Sequence, residues 1–196
     1  ASYRMALACE SILGERIFDG AIIVPKGSIK LSELKKIKVL EGTHPVPTEV
    51  NVNSARTLLE ISGGLTSDDL VICLISGGGS ALFTYPAEGI TLQDKQEMTR
   101  LLLAAGSTIQ EINCIRKHIS GVKGGQLARH IYPANLVSLI LSDVVGDDLS
   151  SIASGPTSPD PYTFKDVYEL FEKYRLLDRV PKNIMKRVLD GLNGKV

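Results

Sequence analysis

Apolar residues along this chain fall into two kinds of pattern. Four short stretches, Gly20 to Val24, Ile37 to Leu40, Leu70 to Ile75 and Leu136 to Leu141, are dense in Val, Ile and Leu without polar alternation. Such runs predict strands covered on both faces, as in a parallel sheet flanked by helices. Elsewhere the spacing is helical. Met5, Cys9, Ile12 and Leu13 form one stripe, and Val52, Ala55 and Leu59 form another, ended by Gly63-Gly64. Thr91 to Asp94 has the form of a capping box and opens a run through Met98, Leu101 and Leu102. Phe164, Val167, Tyr168 and Phe171 recur at i, i+3, i+4 and i+7. Pro181 suits the first turn of a last helix carrying Ile184, Val188 and Leu192. Strands alternating with helices predict an α/β fold.

The stretch from Gly146 to Pro161 is rich in Ser, Pro, Asp and Gly and reads as a long ordered loop. The first helix has no strand before it and Gly194-Lys195-Val196 carries no closing signal, so the expectation is a part of a larger protein. A length of 196 residues suits one domain, or one and a fragment.

Composition narrows the partners. Lys plus Arg number 22 and Asp plus Glu number 22, so no broad positive field attracts nucleic acid. Apolar runs such as Leu101 to Ala105 are far shorter than the roughly 20 residues that span a bilayer. No signal peptide is visible at Ala1-Ser2-Tyr3-Arg4. Cys9, Cys73 and Cys114 are far apart, without C-x-x-C spacing, and read as three reduced, buried thiols of a cytoplasmic protein.

Four segments carry candidate chemistry. In Ile75-Ser76-Gly77-Gly78-Gly79-Ser80 a buried strand runs into three glycines and then a possible helix start. Backbone without side chains approaches a ligand closely, and its amides can point at an anion. The patterns G-x-x-x-x-G-K-[ST], G-x-G-x-x-G and G-x-S-x-G are all absent, Leu82 standing where the last would need glycine. That disfavours a P-loop NTPase, a simple dehydrogenase and an α/β-hydrolase. If Ser107 to Ile119 is helical, Asn113, Arg116, Lys117 and Ser120 share a face beside the apolar stripe of Ile109, Ile112, Ile115 and Ile119, which suggests a cleft rim. Lys123-Gly124-Gly125 then sets a cation beside open backbone.

Asp143 and Asp147 follow the strand ending at Leu141, where carboxylates can hold Mg²⁺ or take a proton from a substrate hydroxyl. Asp148 reads as a structural cap. His44, in Gly42-Thr43-His44-Pro45-Val46-Pro47, is presented by a proline-stiffened loop, as a structural or functional side chain alike. His118 and His130 have no recognisable partners, and no His/Cys cluster has metal-ligand spacing.

These segments, with Ala153-Ser154-Gly155-Pro156-Thr157, occur in an order that resembles the N-terminal domain of the type-2 glycerate kinases, often labelled hydroxypyruvate reductases. The resemblance covers nearly the whole chain. It implies a Rossmann-like three-layer α/β/α domain with a mainly parallel sheet, the larger of two domains, with the active site in the cleft between them. It also implies transfer of the ATP γ-phosphoryl group to the 2-hydroxyl of D-glycerate with a divalent cation, Mg²⁺. Carried over, Ser76, Gly77, Gly78, Gly79 and Ser80 would line the phosphate or substrate pocket. Asn113, Arg116, Lys117, Lys123, Gly124 and Gly125 would meet anionic oxygens, Asp143 would be the functional acid, and His44 would belong to the same motif set. A homo-oligomer stays open.

Two departures stand out. Thr43 replaces the glycine usual before His-Pro, and the family's upstream Lys and C-terminal Arg lie outside this sequence. The chain alone is therefore expected to be inactive. The rival readings are a hydroxypyruvate-reducing oxidoreductase, against which the missing G-x-G-x-x-G counts, and a non-catalytic ligand-binding domain.

Overall fold

The computed structural model describes residues 1–29 and 32–196. Its elements run α1 (Ser2–Leu13), β1 (Gly20–Pro25), β2 (Ile37–Gly42), α2 (Glu49–Ile61), β3 (Leu70–Ser76), α3 (Gly79–Leu82), α4 (Leu92–Ala104), α5 (Ile109–His118), α6 (Gln126–Ile131), β4 (Asn135–Leu141), α7 (Phe164–Lys173) and α8 (Lys182–Leu192). The parallel α/β architecture expected from the apolar runs is the one observed. Its hydrogen bonding falls into two parallel pairs, β1 with β2 and β3 with β4. Leu74 of β3 packs against the cluster of Ala6, Ile22 and Val24 under α1, so the two pairs share a core.

A second core lies among the helices. Met98, Leu101, Leu102, Ile112, Ile115, Val167, Phe171, Ile184 and Val188 are buried together between α4, α5, α7 and α8. Of the stripes read from spacing, the parts carried by these residues meet here, whereas Ile109 and Leu192 at the helix ends, and Ile12 on α1, are exposed. Side-chain chemistry sets the helix starts. Thr91, Thr108 and Thr163 each accept from the amide three residues on, and Asp94, Glu111 and Asp166 answer reciprocally. The Thr108 cap explains why α5 begins at Ile109 instead of the expected Ser107.

Two expectations fail. Of the three thiols only Cys114 is buried, Cys9 and Cys73 being half-buried, because aliphatic neighbours in sequence do not fix which side a thiol faces. The strands were expected to be covered on both faces, yet β4 alternates, with Val137, Leu139 and Leu141 exposed. An apolar run cannot report whether a covering layer exists, and no described element lies over this face of β4.

The His-Pro loop is held from beneath by Asn51, which has no exposure. Its Oδ1 accepts from the Thr43 amide at 3.0 Å and the Thr48 amide at 2.9 Å, and its Nδ2 donates to the carbonyls of Thr43 at 3.0 Å and Ala81 at 3.1 Å. Thr43, the departure from the family pattern, adds its own hydroxyl 2.7 Å from the Val46 carbonyl. Asn51 thus ties the loop after β2 to α3. Asn51→Ala leaves buried backbone donors and acceptors unpaired and is expected to cost about 3 kcal/mol. A urea melt checks this, and a loss below about 1 kcal/mol would show that water replaces the amide.

Candidate functional site

Parallel neighbours end together, and that places the chemistry. Ser76 of β3 is level with Leu141 of β4, so Gly77 and Asp143, each just past a strand end, become neighbours. The approach is close enough that a methyl on Gly77 would fall 2.5 Å from Asp143 Oδ2. Gly78, at φ +80°, adopts a left-handed conformation that favours glycine, and a methyl there would lie 3.6 Å from the His44 ring. A methyl on Gly79 would meet the Ala153 side chain at 2.9 Å. His44, Asp143 and Ala153 thus surround one glycine turn, brought from three places in the chain. The amides of Gly78, Gly79 and Ser80 donate to no acceptor among the described residues. Strand C-terminal ends are where open α/β sheets hold ligands.

Behind the turn sits a group of cations. Lys123 is 3% exposed, and its ammonium donates to the carbonyls of Ser80 at 2.8 Å and Phe83 at 3.3 Å. Lys95, 7% exposed, donates to the Ile119 carbonyl at 3.0 Å. Arg116 is half-buried and makes no hydrogen bond or ion pair among the described residues. None of the three has a carboxylate partner among the described residues. Burial first, then repulsion from Lys95 and Arg116, holds Lys123 well below the ordinary lysine range. Burial, then Arg116 and Arg187, brings Lys95 down to about 7. Buried cations without counter-charge are costly, and such perturbed groups cluster at functional sites.

Further expected residues divide between this site and the scaffold. Asn113 faces it, its Oδ1 accepting from Ser154 Oγ at 3.3 Å, while Ser76 is buried at the end of β3. Lys117, expected to meet ligand oxygens, is paired instead with Asp160, Nζ to Oδ1 at 3.3 Å, its side chain 1% exposed. Gly124 and Gly125, expected to offer open amides, donate theirs to the carbonyls of Ser154 at 3.1 Å and Gly155 at 2.8 Å. They dock the turn after α5 onto the 152–156 segment. Ser120 turns away and donates to the Tyr85 carbonyl at 3.2 Å.

Asp143 and Asp147 are exposed carboxylates that accept no hydrogen bond among the described residues. Asp148 is the cap it was expected to be, its carboxylate accepting from the Ser150 amide and from the hydroxyls of Ser150 and Ser151. No group of three or more His, Cys, Asp or Glu among the described residues forms a metal site. Mg²⁺ is commonly held by one or two carboxylates with phosphates and water completing its shell. Asp143 and Asp147 fit that limited role and no fuller one.

Sequence reasoning missed Lys95 and Asp160 and gave Ser154 no role of its own. Lys95 had a signal. It interrupts the apolar stripe of Leu92, Met98 and Leu102, and a charge at a core position of a helix needs a reason. Asp160 lies 43 residues from Lys117 in a loop, so no spacing rule connects them.

The family model described as a domain of unknown function (DUF4147) matches residues 1–189. A glycerate 2-kinase of Pyrococcus horikoshii is 47% identical over 196 residues, which are 100% of this chain and 43% of that protein. A putative hydroxypyruvate reductase of Agrobacterium vitis is 44% identical over 90% of this chain and 46% of its own length. The crystal structure of a glycerate kinase from Thermotoga maritima superposes with a TM-score of 0.90 at 40% identity, covering 95% of this chain and 44% of that one. The chain thus spans less than half the length of these relatives.

Proposed function

The chain belongs to the DUF4147 family, and on that premise we propose that it forms one wall of the active site of an ATP-dependent glycerate 2-kinase. The observation that carries this reading is the cation group of Lys123, Lys95 and Arg116 beside a turn with three free amides and one exposed carboxylate. Phosphoryl transfer asks a protein mainly for positioning and charge neutralisation. The amides of Gly78 to Ser80 and the cations suit phosphate and carboxylate oxygens. Asp143 takes the proton from the 2-hydroxyl of D-glycerate as that oxygen bonds to the γ-phosphorus and the bond to the β-phosphate oxygen breaks, releasing ADP. Asp143 and Asp147 would be the residues to hold Mg²⁺, which would supply positive charge to offset that on the transferred group.

The site lies open, with His44, Gly77 and Asp143 all exposed. That suits a cleft completed by the rest of a longer enzyme, of which this chain would be a Rossmann-like portion. The reading includes a cytoplasmic location. The described helices contain none long and apolar enough to cross a membrane.

The test is the full-length polypeptide, assayed for 2-phosphoglycerate from ATP and D-glycerate beside NAD(P)H oxidation with hydroxypyruvate. Kinase activity without reductase activity is expected. The reverse result sinks the proposal.

The lysines make anion binding pH-dependent. Lys95, at about 7 in the free protein, carries its charge below that pH, and a bound anion raises its proton affinity. Affinity for sulfate, which does not titrate here, is therefore full near pH 6 and falls toward pH 9, by at most about tenfold per pH unit for one proton. Stability of the free protein has the opposite trend. An unfolded lysine keeps its proton to about pH 10.4, so stability rises as pH climbs from 7 toward that value. Calorimetric titration at pH 6 and pH 9 checks the first trend, and chemical denaturation the second.

A further inference from the structure

The buried carboxamide of Asn51 holds two elements that flank the glycine turn. Its Oδ1 accepts from the amides of Thr43 and Thr48, on either side of His44, at 3.0 and 2.9 Å. Its Nδ2 donates to the carbonyls of Ala81 at 3.1 Å and Leu82 at 3.3 Å, in the short helix α3 that follows the turn. A backbone amide only donates and a backbone carbonyl only accepts, so these partners fix which end of the side chain faces which element.

Helix capping does not explain the amide. Four described helices open with the same box, a threonine answered by the side chain three residues on. In α4, α5 and α7 that side chain is a carboxylate, of Asp94, Glu111 or Asp166, and in α2 it is the carboxamide of Asn51. The box asks this position only for an acceptor. Aspartate would supply one and would also suit the positive end of the helix. What asparagine adds is its NH₂ group, and that group reaches the carbonyls of Thr43, Ala81 and Leu82. The donor is closely packed, since a methyl on Gly42 would fall 2.8 Å from Nδ2.

His44 takes its place from the loop so tethered. The Nε2 and Cδ2 edge of its ring faces Gly78, where an added methyl would lie 3.6 Å from both atoms. The ring is exposed, and neither of its nitrogens has a hydrogen-bond partner among the described residues. We propose that Asn51 is a positioning residue, whose carboxamide fixes the His44 loop against α3 and so holds the His44 ring beside the free amides of the glycine turn. This rests on the glycerate kinase reading, in which those amides meet anionic oxygens and His44 borders the same site. It adds a residue that shapes the site from beneath.

The test is a double-mutant cycle in the full-length polypeptide. Asn51→Asp keeps the helix box and the acceptor for the loop amides, but turns an oxygen toward three carbonyls, so the loop and α3 part. Asn51→Asp and His44→Ala are each expected to lower kcat/KM for D-glycerate about tenfold to a hundredfold. The double variant is expected to fall no further than His44→Ala, because Asn51 acts through the ring. Gly42→Ala, whose methyl would press on Nδ2, repeats the cycle without a buried charge, and a urea melt shows which variants are folded. A capping role alone predicts parent-like rates in Asn51→Asp. Those rates overturn the proposal, as does an equal loss from the Asn51 or Gly42 change with His44 present and absent. If the polypeptide does not phosphorylate glycerate, the kinase reading falls by itself. Sulfate affinity, from calorimetric titration of the same variants, then carries the cycle, and additive losses there overturn the positioning role.

Discussion

On the proposed kinase reading, Lys123→Met is expected to lower turnover of the full-length polypeptide by about a hundredfold to a thousandfold, the scale for one preorganised charge on a transferring group. The fold survives the change. Two opposing terms decide this. Methionine fills a similar volume and ends the repulsion from Lys95 and Arg116, but it strands the carbonyls of Ser80 and Phe83. Losing those hydrogen bonds costs about 1–3 kcal/mol, whereas an uncompensated buried cation costs several. The melting temperature should hold or rise as activity disappears. A thermal melt beside a steady-state assay reads both, and a variant that loses structure along with activity would make Lys123 a structural clamp only.

A second change tests the position of a carboxylate without altering it. Gly77 has an ordinary negative φ, so its backbone accepts alanine, but the new methyl would stand 2.5 Å from Asp143 Oδ2 and 3.0 Å from its Cγ. The exposed Asp143 side chain must swing aside, which costs little stability. Displacing a reacting group by about 1 Å can reduce turnover about a hundredfold. Gly77→Ala should therefore approach Asp143→Asn in turnover while melting within about 2 °C of the parent. Wild-type rates in Gly77→Ala and a deep loss in Asp143→Asn would mean that the acid acts from a different position. Wild-type rates in both would remove Asp143 from the mechanism.

How far the sequence reached can be read from particular residues. The strand ending at Ser76 and the glycines after it were legible because a parallel strand is a continuous apolar run and a sharp turn needs glycine. The cap at Thr91 was legible for a similar reason, since donor and acceptor lie within one helical turn. Lys117 shows the limit. Its place on α5 followed from spacing, but its ion pair with Asp160 depends on a loop returning 43 residues later. Lys123 and Arg116 were visible as cations, yet only burial, near-complete for Lys123 and partial for Arg116, without a carboxylate partner among the described residues separates them from ordinary surface charge.

Local rules therefore determined which segments become strands, turns and capped helices, because those choices are made among neighbours a few residues apart. Packing alone decided that Gly77 meets Asp143, that Ser154 joins Ser80 to Asn113, and that Lys95 stands in the same electrostatic environment as Lys123. The first contact depends on the parallel pairing of β3 with β4, which brings distant strand ends level, and the others on the packing of α3, α4 and α5. Desolvation, the cause of the lysines' lowered proton affinity, exists only once the chain has closed over them.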